Sequence, residues 1–67
     1  MIEITLNGVV TSLPTNSHIE AVVKMVAPSP KGIAVALNGE VVSRSLWGST
    51  SCQAGDVIEI VTAAAGG

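Results

Sequence analysis

Sixty-seven residues leave room for one domain with a single small core. Apolar side chains make up 48% of the chain, too many for a disordered segment, and nearly all are Val, Ile, Leu or Ala, with Trp47 the sole aromatic. Three basic residues (Lys24, Lys31, Arg44) against five acids give a formal charge of −2, and with neither a basic cluster nor an aromatic stacking surface, nucleic-acid binding is not expected.

From the N-terminus, Ile2, Ile4 and Leu6 alternate with Glu3 and Thr5, the period of a half-buried strand. Asn7-Gly8 is a strong hairpin signal because both residues tolerate positive φ, and Val9 to Leu13 reads as the returning strand, stopped by Pro14. Ser17-His18-Ile19-Glu20 has the form of a capping box, which predicts a helix with Ser17 at its N-cap and Glu20 at N3. Ile19, Val22, Val23 and Val26 then make one apolar stripe, and Pro28 and Pro30 end the helix.

Ile33 to Leu37 carries no charge and reads as a central strand covered on both faces. Asn38-Gly39 is a second hairpin signal and leads into Glu40-Val41-Val42. Ser43 to Gln53 is irregular, with Arg44, Leu46 and Trp47 as expected anchors. Gly55-Asp56 turns the chain into Val57 to Val61, where Ile58 and Ile60 share one face while Glu59 marks the other as exposed, together with Val57 and Val61.

Two strands, a helix and three more strands suit an α+β fold with four to five strands and one helix across one face. A right-handed crossover is expected to set the third strand beside the first, with those two parallel, and the last strand can join the centre of such a sheet. That order is a ubiquitin-like β-grasp, with a generic small α+β sandwich as the other reading. The expected organisation is one domain over 1–63 and a flexible tail over 64–67.

The run Ala34-Val35-Ala36-Leu37-Asn38-Gly39-Glu40-Val41-Val42-Ser43-Arg44, then Trp47, then Gly55-Asp56-Val57-Ile58-Glu59-Ile60-Val61 and a final Gly66-Gly67 resembles the ThiS family of thiamine-biosynthesis sulfur carriers. The resemblance spans essentially the whole chain, and its specificity lies in the combination of these segments. It departs from the family at Ser43, where proline is common, and at Cys52, where a branched apolar residue is common.

The resemblance implies a carrier whose terminal glycine is adenylated with ATP by an E1-like adenylyltransferase of the ThiF type. The acyl-adenylate becomes a thiocarboxylate, and its sulfur passes to a thiazole synthase of the ThiG type. It makes Gly67 the reacting carboxylate and Gly66 its slim neighbour. Ala63, Ala64 and Ala65 are expected to touch the partners, with Val57 and Val61 as the docking patch. A carboxylate is a poor electrophile until it is made a mixed anhydride, and four extended residues reach about 13 Å, enough to enter a neighbouring active site. A carrier for molybdopterin or cysteine synthesis, a ubiquitin-like modifier and a plain structural module remain the other readings.

No Ser-His-Asp set, phosphate-binding loop or paired catalytic carboxylates can be recognised, so an enzyme is not expected. No bound cofactor is expected either, ATP being used by the partner. His18 reads as a solvated residue of the first helical turn, without companions at metal-ligand spacing. Cys52 reads as a buried spacer, since no His or second Cys lies close to activate it. Trp47 reads as a lid over the core, Arg44 as a surface ion of open role, and Gly55-Asp56 as a turn. The single cysteine, the early Glu3 and the lack of an apolar run of about 20 residues make a cytoplasmic protein without a membrane span the expectation.

Overall fold

The computed structural model describes residues 1–27 and 32–62. Pro28, Pro30, Lys31 and the tail residues Ala63, Ala64, Ala65, Gly66 and Gly67 lie outside the described residues, as does the expected domain boundary at residue 63.

Five strands and one helix follow in the order β1 (Ile2–Leu6), β2 (Val9–Leu13), α1 (Ile19–Val26), β3 (Ile33–Leu37), β4 (Glu40–Val42) and β5 (Val57–Thr62), with a short 3₁₀ turn at Arg44–Leu46. Both Asn-Gly pairs make the expected hairpins. Asn7 and Gly8 have φ of 50° and 84°, and Asn38 and Gly39 have 51° and 87°, the two left-handed residues of a type I′ turn. β1 pairs antiparallel with β2 from Ile2↔Leu13 to Leu6↔Val9, and β3 pairs antiparallel with β4 from Val35↔Val42 to Leu37↔Glu40.

The sheet order is β2-β1-β5-β3-β4, so β5 occupies the centre as expected. It runs parallel to β1 and antiparallel to β3. The crossover expectation is corrected by this order. β3 does not lie beside β1, because β5 enters between them, and the strand parallel to β3 is β2, from which the helix departs.

The helix covers one face of the sheet. Ile19, Val22 and Val23 are buried with Ile4, Leu13, Val35, Ile58 and Ile60 in one cluster that also holds Trp47 and Cys52. Each fully buried side chain of this size contributes about 1.5–3 kcal/mol. Val26 departs from the predicted stripe, being 44% exposed at the end of an eight-residue helix. Ala27 is extended, with φ −134° and ψ 136°, the conformation favoured before a proline. Nor is β3 covered on both faces: Val35 is buried and Ile33 and Leu37 half-buried, but Ala34 is exposed.

The capping box is absent. His18 occupies the N-cap, and no side chain caps the helix there. The Ser17 amide and hydroxyl both donate to the Pro14 carbonyl, at 3.2 and 2.7 Å, in a turn where Asn16 has φ 71°. The first helical donors go to the long loop instead, with Ile19 N–H on the Thr50 carbonyl at 2.9 Å and Glu20 N–H on the Trp47 carbonyl at 3.1 Å. Cys52 N–H returns to the Ser17 carbonyl at 2.8 Å, and His18 bridges Ser51. The orphan amides of the helix start are thus met by backbone, which leaves no role for a capping hydroxyl.

Within that loop Trp47 is the anchor. It is 3% exposed, and its indole Nε1–H donates to the Val42 carbonyl at 3.0 Å. Arg44 and Leu46, also expected as anchors, are exposed, because the 3₁₀ turn directs only Trp47 inward.

Candidate docking face beside the last strand

β5 alternates as its sequence predicts. Ile58 and Ile60 are buried, while Val57 is 45% and Val61 59% exposed and Glu59 faces solvent. Residues opposite one another across a ladder share a face, so the register extends this open face over the sheet. Val10, Thr5 and Val57 form one row, Val41, Ala36 and Glu59 a second, and Ala34 and Val61 a third. Small alanines between larger valines leave a shallow dent of about 170 Å³, lined by Ala34, Val35, Ala36, Val41, Glu59 and Val61. The predicted patch residues Val57 and Val61 therefore belong to a wider, mostly apolar surface that crosses β5, the strand preceding residues 63–67.

Polar bonds hold β5 in ways the sequence reading missed. The Asn7 Oδ1 accepts the Ile60 N–H at 2.8 Å, beyond the point where β1 stops pairing. The Asn38 Oδ1 accepts the Val57 N–H at 2.9 Å, and its Nδ2 donates to Asp56 Oδ1 at 3.1 Å. Asp56 Oδ2 in turn accepts the Gln53 N–H at 2.8 Å. Gly55, with φ 87°, donates its N–H to the Glu3 carbonyl at 2.8 Å and so ties the Gly55-Asp56 turn to β1. The available signal was the asparagine in both turns: its amide supplies a β5 acceptor that glycine would lack.

Cys52 is 5% exposed. Burial pushes its thiol above the ordinary value, and the Asp56 carboxylate adds to the rise. Fewer thiolates form, and the side chain is buried as expected. Cys52 is expected to react with an aromatic disulfide reagent at neutral pH at least about tenfold more slowly in the folded protein than in urea, followed by absorbance. His18 is exposed, and no group of three or more His, Cys, Asp or Glu among the described residues can hold a metal ion. No helix among the described residues is long and apolar enough to cross a membrane.

A mixed five-stranded sheet with one helix across one face and its last strand at the centre defines a ubiquitin-like β-grasp module. Residues 2–67 match the ThiS family, and the chain belongs to it. It is therefore a small sulfur carrier of thiamine biosynthesis that works with partner enzymes and is not itself a catalyst. In fold it is similar to the crystal structure of the thiamine biosynthesis protein ThiS from Geobacter metallireducens, with a TM-score of 0.80 and 22% identity over 91% of this chain and 93% of that one. No curated protein matches the chain significantly in sequence.

Proposed function

We propose that Gly67 is the residue that carries sulfur, on a C-terminal thiocarboxylate used to form the thiazole of thiamine. In the first step the Gly67 carboxylate attacks the α-phosphorus of ATP in an E1-like adenylyltransferase of the ThiF type. This forms the acyl-adenylate and releases pyrophosphate. A sulfide-level donor, hydrosulfide, then attacks the activated carbonyl, AMP leaves with the bonding pair, and loss of the sulfur-bound proton leaves the thiocarboxylate. A thiazole synthase of the ThiG type takes the sulfur from the resulting thiocarboxylate. Ala63, Ala64, Ala65 and Gly66 lack bulk and charge, so they suit a narrow channel into either partner. The protein binds no cofactor in this scheme, and ATP is held by the activating enzyme.

The observation that carries the reading is the setting of β5 in a ThiS-family chain. Its central position, its ladders to β1 and β3 and the two asparagine bonds make a firm root immediately before the Ala-Ala-Ala-Gly-Gly sequence. Intact mass after incubation with ATP, the activating enzyme and a sulfur source tests it. Replacement of one oxygen of Gly67 by sulfur is the expected result, and an unmodified chain beside a competent enzyme would overturn the proposal.

Both enzymes are expected to dock on the open face through Val57 and Val61. Val61→Asp places a charge within that patch and should weaken binding to the activating enzyme by about tenfold or more in calorimetry. Because Val61 is exposed, the circular dichroism spectrum should not change. Unaltered affinity would remove this face from the docking surface.

A further inference from the structure

The dent on the open face has a composition of its own. Its apolar side chains come from Ala34, Ala36, Val41 and Val61, the Val35 side chain lying in the core on the other face, and its one charged lining group is Glu59. No hydrogen bond or ion pair to the Glu59 carboxylate forms among the described residues. The three residues nearest it in the ladder, Ala36 opposite and Val41 and Val61 beyond, bring no cation. Among the described residues, none lining the dent carries a positive charge to offset it.

We propose that the dent receives one arginine side chain of the activating enzyme, its methylene stem over Ala34 and Ala36 and its guanidinium on Glu59. This inference rests on the docking reading above and names the chemistry of that contact. An arginine suits the dent for three reasons. The apolar floor matches its stem, which buries readily on apolar surface while the charged head stays outside. A planar guanidinium pairs with a carboxylate through two parallel bonds, a geometry that a lysine cannot supply. The dent, about 170 Å³ and open to solvent, is smaller than the usual pocket for a separate small molecule. When the enzyme covers the face, water leaves the pair and its attraction strengthens, which makes Glu59 a determinant of partner choice.

Calorimetric titration of the activating enzyme with the full chain tests the inference, at about 50 and about 500 mM NaCl. The wild-type affinity should fall with salt. Glu59→Gln, on an exposed position, should weaken binding about five- to tenfold at low salt and flatten the salt dependence. Ala34→Leu fills the dent without touching the charge and should weaken binding by a similar factor at both salt concentrations. Circular dichroism of both variants establishes that they fold.

Glu59→Gln with wild-type affinity and salt slope overturns the inference, as does Ala34→Leu that binds normally. Tighter binding by Glu59→Gln together with weaker binding by Ala34→Leu would assign the dent to an apolar side chain and also overturns it. Wild-type loading of sulfur on Gly67, measured in the same series, separates the two readings. Normal wild-type binding and loading with unaltered Glu59→Gln affinity sinks the arginine contact alone, whereas a wild-type chain that neither binds nor loads sinks both.

Discussion

Ile58→Ala is expected to lower the unfolding free energy by about 3–5 kcal/mol, enough to leave a large fraction of the chain unfolded at physiological temperature. Ile58 is fully buried on the central strand, opposite Leu6 on one side and Leu37 on the other. Removing three carbons there opens a cavity that neither ladder can close without breaking its register. A chain of this size has a total stability of only about 3–10 kcal/mol, so the loss is a large part of the whole. Urea titration followed by the fluorescence of Trp47, the sole aromatic and 3% exposed, reads the change directly. Val61→Asp on the same strand should lower the unfolding free energy by less than about 0.5 kcal/mol, because its side chain faces solvent. Similar effects of the two substitutions would contradict the assignment of buried and open faces.

The second large effect is expected at a polar position. Asn38→Asp should cost about 2–3 kcal/mol near neutral pH, although it changes only an amide to a carboxylate. The new side chain still accepts the Val57 N–H, but it loses the donor that meets Asp56 Oδ1 and sets a second negative charge about 3 Å away. Acid protonates one carboxyl of the pair and restores a donor between them. The deficit should therefore be full above the carboxylate range and shrink as pH falls through it. Asn7→Asp provides the comparison, since Asn7 serves as an acceptor for Ile60 N–H, which a carboxylate does as well. Urea midpoints of the two variants at neutral and acid pH check this. Equal losses for both, independent of pH, would show that the Asn38-Asp56 bond contributes little.

Local chemistry was legible in the sequence and distant pairing was not. The two Asn-Gly hairpins needed only the φ tolerance of adjacent residues, and both formed where the alternation of flanking side chains put them. The buried and exposed faces of β5 were legible for the same reason, since Glu59 marks one face. The helix start was misread because Ser17 and Glu20 match a local motif, whereas the donors at that end are met by Trp47 and Thr50, about thirty residues away in sequence. The neighbour of β3 was misplaced because the crossover rule orders strands already present, and β5 enters last, between β1 and β3. On the docking face, Val57 and Val61 could be read from period-two alternation. Val10, Val41, Ala34 and Ala36 join them only through ladder register, and the dent beside Glu59 exists only once those rows are aligned.

The central placement of β5 has a mechanical consequence. A partner that draws on the end of this chain pulls at Thr62 along the axis of β5. The five register pairs to β3, the bond from Asn7 N–H to Ile58 and that from Thr5 N–H to Asp56 at the start of β5 lie across that axis, so they meet the load together in shear and are not peeled one by one. An edge strand under the same pull has neighbours on one side only. The sheet is thus wired to transmit tension from its last strand into both flanking hairpins.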